Sequence, residues 1–154
     1  MKFIKTNNTD SRFRKLCCML DNYLDDAIGK EKQQQEYNQH NALVDIDDVI
    51  LLVDGEKLIG CGGIKNVDED TAEVKRVFVA DEFRHHGYGH QIITEIECLA
   101  KAEGYKALIL ETGLPMKNAQ RLYTSCGFSF IENYGPYAFL DSSVCMKKNI
   151  ENKI

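Results

Sequence analysis

The sequence lacks the long apolar segments of membrane proteins, the signal peptide of secreted proteins and the excess of positive charge typical of nucleic-acid-binding proteins. No apolar run approaches the roughly 18 residues that a membrane-spanning helix needs, and the first residues contain no apolar stretch typical of a signal peptide. Positive charge is also scarce, because 19 lysines and arginines face 24 aspartates and glutamates, which gives a net charge of −5. The sequence therefore predicts a cytoplasmic protein that binds neither membranes nor nucleic acid.

The six cysteines form no pair at the spacing of a zinc or redox site. None lies in a C-x-x-C pattern, and several occupy apolar positions of periodic segments. We interpret them as reduced core residues of an intracellular protein, and we predict no metal. A disulfide framework and a zinc site that uses His85 and His86 are the alternatives.

The 154 residues suffice for one domain with its own hydrophobic core, and no linker interrupts them. We therefore predict a single domain over residues 1–154. Strands are predicted at Lys2 to Lys5, Val49 to Val53, Leu58 to Ile64, Thr71 to Val79, Ala107 to Leu110, Phe128 to Ile131 and Ser143 to Met146. Helices are predicted from Asp10 or Ser11 to Gly29, from Gly89 to Gly104, around Ala119 to Cys126 and, as an exposed helix or a loop, at Glu31 to Gln39.

The order of these segments predicts a mixed α/β topology. Asp54-Gly55 predicts a two-residue hairpin turn, so the front half should form an antiparallel meander. The later strand–helix–strand unit should be parallel, because its strands are joined by a helical crossover.

A glycine-containing loop between a strand and a helix is the most informative segment. Val77-Phe78-Val79 leads into Arg84-His85-His86-Gly87-Tyr88-Gly89, and an amphipathic helix begins at once. Glycine lets the backbone approach a ligand closely, and the first N–H groups of a helix have no partner within it. The segment therefore predicts a site for a phosphorylated cofactor. A Rossmann fingerprint would need a small residue where Ile92 stands, and the G-K-[ST] of a P-loop is missing.

The remaining pattern, R-x-x-G-x-G, resembles the signature of the GNAT superfamily of N-acetyltransferases, where it holds the pyrophosphate of acetyl-CoA. Residues 119–128 (AQRLYTSCGF) resemble the A-x-x-L-Y-x-x-x-G-F element of the same family. Together the matching motifs cover about residues 48 to 132. The resemblance implies a central mixed, mostly antiparallel sheet of about six to seven strands flanked by about four helices. It also implies acetyl-CoA as the cosubstrate.

The resemblance also implies which residues contact the cofactor. The backbone of Val77, Phe78 and Val79 would pair with the pantetheine arm and polarise the thioester oxygen. The pyrophosphate would be surrounded by Arg84, His85, His86, Gly87, Tyr88, Gly89 and His90. Asn118 resembles the asparagine that hydrogen-bonds the pantetheine arm, and the alternative is a helix cap.

Acetyl transfer to an amine needs a proton acceptor for the ammonium and a proton donor for the departing thiolate. Glu73 is the candidate base, because it lies on the strand expected beside the cofactor. A surface carboxylate paired with Lys75, with a water relay as the base, is the alternative. Tyr123 matches the family's proton-donating tyrosine, although a core tyrosine would fit the same pattern. A covalent route through Cys126 is disfavoured, because no histidine is placed in sequence to activate it.

Candidate substrate-binding residues flank the candidate base. Because neighbouring side chains alternate along a strand, we expect one of Lys75 and Arg76 to face the cleft, where it would suit an acceptor that carries a carboxylate. Tyr134 belongs to a Tyr-Gly-Pro-Tyr turn that either lines the acceptor pocket or only connects two strands. Acidic residues elsewhere, including Asp21, either attract a polyamine or an aminoglycoside or form only a solvated helix face.

We predict transfer of an acetyl group from acetyl-CoA to a primary amine of a small molecule, such as an amino acid, by direct attack in a ternary complex. The alternatives are acetylation of a lysine or N-terminus of a protein or peptide, and a non-catalytic acyl-CoA-binding module. The sequence leaves the oligomeric state open, and a homodimer is compatible with it.

Overall fold

A computed structural model describes residues 1–29 and 43–151. The predicted helix or loop at Glu31 to Gln39 lies outside the described residues. Seven strands are present in the described part of the chain: β1 (Lys2–Thr6), β2 (Asp48–Asp54), β3 (Lys57–Asn66), β4 (Thr71–Val79), β5 (Ala107–Gly113), β6 (Ser129–Ile131) and β7 (Ser143–Asn149). The same residues form three α-helices, one fewer than the sequence predicts: α1 (Ser11–Ile28), α2 (Tyr88–Ala102) and α3 (Lys117–Ser125).

The strands form one mixed sheet in the order β1-β2-β3-β4-β5-β7-β6. Neighbouring strands are antiparallel except for β4 and β5, which are parallel and joined through α2. The predicted fold class and the parallel unit are therefore confirmed. Parallel pairing is short, because it matches only Thr71–Glu73 with Ala107–Ile109. Beyond Glu73 the two strands diverge, and this divergence creates the space for a site.

A bulge in β4 changes which side chains face each side of the sheet. Cys61 of β3 lies opposite Phe78 and Gly63 opposite Lys75, so β4 carries one extra residue between them. Arg76 within the bulge has a φ of 59°, which is rare for a residue other than glycine. Val74 and Val79 consequently both pack on the α2 side of the sheet, although they are five residues apart.

One face of the sheet is covered by α2. Its predicted apolar stripe is confirmed, since all five members are buried: Ile92, Ile93, Ile96, Leu99 and Ala100. The close approach of α2 to β3 depends on a glycine in the strand, because a Cβ at Gly62 would lie 2.5 Å from the Cδ1 of Ile96. The opposite face packs against α1, whose Phe13 and Leu16 are fully buried. Burial of each such side chain contributes about 1.5–3 kcal/mol.

Caps at both ends explain the length of α1. The Asp10 side chain accepts a hydrogen bond from the Arg12 backbone N–H at 2.9 Å, as the sequence predicts for an N-cap. At the other end, Gly29 has a φ of 88° and its N–H donates to the Asp25 carbonyl. None of the helices in residues 1–29 and 43–151 is both long enough and apolar enough to cross a membrane.

Two local predictions need correction. The β2–β3 hairpin loop is Gly55-Glu56 rather than Asp54-Gly55, because Asp54 still pairs with Lys57 and the positive φ falls on Gly55 alone. Strand β6 begins at Ser129, one residue later than predicted, because Phe128 instead packs into the core with 3% of its surface exposed.

Candidate active site

A cleft of about 820 Å³ opens where β4 and β5 diverge. Its walls come from β4, β5, α1, α3 and the segment that leads into α2. One end, which we call the loop end, consists of residues Arg84 to His90. The other, which we call the polar end, is formed by Glu73, Lys75, Glu111 and Tyr137; Tyr134 does not line the cleft but is hydrogen-bonded to Glu73.

Backbone amides dominate the loop end. The first N–H that bonds within α2 is that of Gln91, which donates to the Gly87 carbonyl at 3.2 Å. The N–H groups of Tyr88, Gly89 and His90 therefore precede the helical hydrogen-bond ladder. Gly87 supplies a left-handed φ of 81° at the N-cap, which glycine adopts with little strain. This geometry suits a diphosphate.

Gly89 has a different function in the same loop. A Cβ at this position would lie 3.0 Å from the Cδ2 of Leu122, so the start of α2 packs directly on α3. The two glycines of the R-x-x-G-x-G pattern therefore have different roles. Gly87 provides a backbone conformation, and Gly89 allows close packing.

Side chains of the loop end contact the protein as well as the cleft. The Arg84 Nε donates to the Val79 carbonyl at 3.0 Å, and the guanidinium lies 4.4 Å from the centre of the Tyr23 ring on α1. These contacts hold the loop against the end of β4. His85 and His90 line the cleft, whereas His86 is exposed and packs near the ring of Tyr88. Their contact with a cofactor stays a prediction.

The edge of β4 connects the two ends. Within the described residues, pairing of β4 with β5 stops at Glu73, and Val77, Phe78 and Val79 line the cleft. A strand edge that faces a cleft can pair with an extended ligand as if with an added strand.

Buried polar side chains form the polar end. The Tyr134 hydroxyl donates to Glu73 Oε2 at 2.7 Å, and Glu73 is only 6% exposed. The Lys75 Nζ lies 3.9 Å from Glu73 Oε1 and donates to the Tyr137 hydroxyl at 3.1 Å. Burial lowers the pKa of Lys75 and raises that of Tyr134. The bonds of Tyr134 and Tyr137 hold the turn Gly135–Tyr137 over β4, although the turn and the strand are far apart in the sequence.

The expectation that only one of Lys75 and Arg76 faces the cleft is wrong. Both line it, because the bulge at Arg76 interrupts the alternation of side chains. Arg76 forms an ion pair with Asp21 of α1, and Lys75 is paired with Glu73. Since each cation already has a carboxylate partner, the sequence-based reason to expect a carboxylate on the acceptor is weakened.

Sequence reasoning missed Glu111, which lies near the end of β5 and lines the cleft. Burial raises the pKa of Glu111 to about 7. The hydrogen bond that Ser143 Oγ donates to Glu111 Oε2 at 2.8 Å acts in the opposite direction and lowers the pKa. A signal was available, because an acidic residue directly follows Leu108-Ile109-Leu110. Ligands in α/β sheets bind outside the carboxyl ends of parallel strands.

Tyr123 lines the cleft from α3 and is 8% exposed. Its ring packs edge-to-face on Phe128, with 5.8 Å between the ring centres. Burial raises the pKa of Tyr123, with smaller contributions from Cys126 and Glu111. The phenol is therefore protonated at neutral pH and available as a hydrogen-bond donor.

The other side chains singled out on α3 differ in their contacts. Asn118 is not the N-cap, since α3 begins at Lys117 and the cap residue is Met116. The Asn118 Oδ1 instead accepts from Arg121 Nη1 at 3.0 Å, and Asn118 lines the cleft. Burial raises the pKa of the Cys126 thiol, which does not favour a nucleophilic role. In the part of the chain that the structure describes, no group of three or more metal-ligating side chains is gathered.

An opening between two parallel strands, beside the amide-rich start of a helix, suits a phosphorylated cofactor. The family model described as the acetyltransferase (GNAT) family matches residues 16–128, so the chain belongs to that family and is an acyltransferase. It is 34% identical over 130 residues to the IAA acetyltransferase of Azospirillum brasilense, and the match covers 84% of each protein.

Solved structures show the same fold. An acetyltransferase of the GNAT family from Staphylococcus aureus Mu50 superposes with a TM-score of 0.75 at 18% identity, over 97% of this chain and 99% of the other. A GNAT family acetyltransferase from Elizabethkingia anophelis with acetyl-CoA bound superposes with a TM-score of 0.60 at 22% identity, over 78% and 82% of the two chains. The predicted membership of the family is confirmed.

Proposed function

We propose that the protein transfers the acetyl group of acetyl-CoA to a primary amine of a small molecule, by direct attack within a ternary complex. The observation that carries this proposal is the cleft itself, which joins an amide-lined loop end to a carboxylate-containing polar end along one strand edge. Support for the cofactor comes from the Elizabethkingia neighbour, whose structure has acetyl-CoA bound.

The cofactor would lie along β4. Amides at the start of α2, from Tyr88 to His90, bind the diphosphate. The guanidinium of Arg84 adds positive charge beside it, and the side chains of His85 and His86 lie nearby. The pantetheine arm pairs with the edge at Val77–Val79, where a backbone N–H polarises the thioester oxygen. Asn118 contacts the arm from α3.

The reaction needs one proton removed and one supplied. A free alkyl amine has a pKa near ~10, so it arrives as an ammonium and becomes a nucleophile only after losing a proton. A carboxylate of the polar end accepts that proton, for which Glu73 and Glu111 are the two candidates. Tyr123 donates a hydrogen bond to the departing sulfur as negative charge develops on it.

The acceptor meets two carboxylates and one ammonium at the polar end, and the ammonium of Lys75 is paired with Glu73. This balance favours an acceptor that enters as a cation. The buried Tyr137 and the hydrogen-bonded Tyr134 close this end over β4, which favours a compact amine over a segment of protein chain.

Release of CoA thiol from acetyl-CoA, measured across a panel of amines, tests the proposal. The panel contains amino acids, simple alkyl amines, a polyamine, an aminoglycoside and a lysine peptide, each paired with its N-acetylated form as a blocked control. We expect turnover with a small primary amine and none with its blocked form. Turnover with the peptide alone would establish the protein-directed alternative, and CoA binding without turnover on any amine would indicate a binding module.

A further inference from the structure

We propose that Glu111, rather than the sequence-predicted Glu73, accepts the proton of the acceptor amine, and that Glu73 positions the turn that carries Tyr134 and Tyr137. This inference rests on the proposed acetyl transfer. It concerns two glutamates on neighbouring parallel strands, which the divergence of β4 and β5 places at the same end of the cleft.

The contacts of Glu73 are those of a positioning residue. Its Oε2 accepts from the Tyr134 hydroxyl, and its Oε1 faces the ammonium of Lys75. Uptake of a proton by Glu73 would remove the carboxylate charge that lies 3.9 Å from the ammonium of Lys75, which is itself 9% exposed. Protonation of Glu73 would also weaken the hydrogen bond that the Tyr134 hydroxyl donates to its Oε2.

Glu111 occupies the more suitable place for proton transfer. It lies on β5 beyond the last residue that pairs with β4, and its side chain lines the cleft. Only its Oε2 is used by the hydrogen bond from Ser143. Tyr123 lines the same cleft from α3, and the charge of Glu111 contributes to raising the pKa of Tyr123. A reacting centre between them would have a proton acceptor and a hydrogen-bond donor within reach.

The surroundings of Glu111 bring its pKa close to neutral pH. Burial raises its pKa to about 7, the Ser143 hydrogen bond and the Lys75 ammonium oppose that rise, and the Glu73 carboxylate adds to it. The other titratable groups that interact with it are Cys145 of β7 and Tyr123. A carboxylate with a pKa near the working pH combines a sizeable ionised fraction with strong basicity, which is the optimum for a general base.

In the proposed reaction, the ammonium of the acceptor gives one proton to Glu111, and the neutral nitrogen forms a bond to the thioester carbonyl carbon. The C–S bond breaks with its electron pair on sulfur, and the second nitrogen proton passes to that sulfur, either directly or through the Tyr123 hydroxyl. Glu111 then releases its proton to solvent, and the products are the N-acetylated amine and CoA thiol.

The test is the pH dependence of kcat/KM for the wild type, Glu111→Gln, Glu73→Gln and the control Glu69→Gln, whose side chain is exposed in a turn outside the cleft. For the wild type we expect an acid limb with an apparent pKa near 7. Glu111→Gln should abolish the limb and lower kcat at least about 100-fold at neutral pH. Glu73→Gln should keep the limb and mainly raise the KM of the amine, and the control should match the wild type.

The opposite pattern overturns the inference: a limb that persists in Glu111→Gln and disappears in Glu73→Gln, or a Glu111→Gln rate within about threefold of the wild type. Glu111→Asp guards against a folding defect, because it should retain the limb at a reduced rate. If the wild type turns over no amine, the proposed function has failed instead.

A spectroscopic readout is independent of turnover. In protein labelled with ¹³C at glutamate side-chain carboxyls, one resonance that titrates near pH 7 should vanish in Glu111→Gln. A second resonance should titrate in the same range in both proteins, because the hydrogen bond with Asp48 raises the pKa of Glu103 to about 7. If Glu103 were the only glutamate to titrate there, the inference would be overturned.

Discussion

The loop end and the polar end of the cleft are built in different ways. The loop end is one continuous segment, in which a loop with Gly87 leads directly into the first turn of α2. The polar end draws on β4, β5 and residues 134–137, and the two residues of its central hydrogen bond, Tyr134 and Glu73, are 61 positions apart.

This difference separates a part of the cleft that is defined by backbone from a part that is defined by side chains. Backbone amides bind a diphosphate whatever the neighbouring side chains are, so the loop end is defined by glycine positions and helix geometry. The polar end instead consists of side chains that come from several segments of the chain. Changes at one end should therefore leave the binding constant of the other end unaltered, and the following predictions test that separation.

The largest effect is expected for Tyr123→Phe, at the junction of the two ends. It removes only the hydroxyl and keeps the packing on Phe128, so kcat should fall by about 10² to 10⁴. The affinity for acetyl-CoA, measured by calorimetry, should stay within about twofold of the wild type. An unchanged kcat would remove Tyr123 from the mechanism.

Glu111→Gln should change how the free energy of unfolding depends on pH. The pKa of Glu111 is raised in the folded protein from 4.5 to about 7, so the folded state binds this proton more tightly than the unfolded state. The stabilisation is therefore complete below pH 4.5 and lost as the pH rises through 7. Between pH 4.5 and 8, Glu111→Gln should gain about 3 kcal/mol relative to the wild type in urea unfolding. Parallel pH curves for the two proteins would contradict this prediction.

Tyr134→Phe should affect the polar end alone. It deletes the hydrogen bond to the Glu73 carboxylate, a bond to a charged group that is worth about 2 kcal/mol. We expect the KM of the amine to rise about tenfold and the affinity for acetyl-CoA to stay constant. An equal loss at both ends would show that the two ends are not separate.

Gly87→Ala should affect the loop end alone. Its φ of 81° costs alanine about 1 kcal/mol, and open space surrounds the position. We expect about tenfold weaker binding of acetyl-CoA, with the KM of the amine unchanged. Gly55→Ala in the β2–β3 hairpin is the matched control, since it has a φ of 61° and equally open surroundings. If Gly55→Ala weakened cofactor binding as much, global destabilisation would be the cause.

The sequence was sufficient for those parts of the structure that depend on local pattern. The stripe from Ile92 to Ala100, the caps of α1 at Asp10 and Gly29, and the bounds of β4 all follow from short-range periodicity and capping chemistry. The loop end was predictable for the same reason, because its residues are adjacent in the chain.

The polar end could not be predicted in the same way. The bulge at Arg76 depends on the register with β3, and it interrupts the expected alternation, so that both Lys75 and Arg76 line the cleft. The Tyr134–Glu73 bond depends on a long-range fold of the last turn onto β4. The position of Glu111 after an apolar strand is visible in the sequence, but its raised pKa comes from burial, a property of the folded chain that sequence spacing does not express.

Amide hydrogen exchange with and without CoA is the most direct measurement, because it reports both whether the cofactor binds and where. We expect CoA to slow exchange at Tyr88–His90 and at Val77–Val79, and to leave peptides of the Gly135–Tyr137 turn unchanged. Exchange that is unaffected everywhere, or slowed only at the polar end, would contradict the assignment of the loop end to the cofactor.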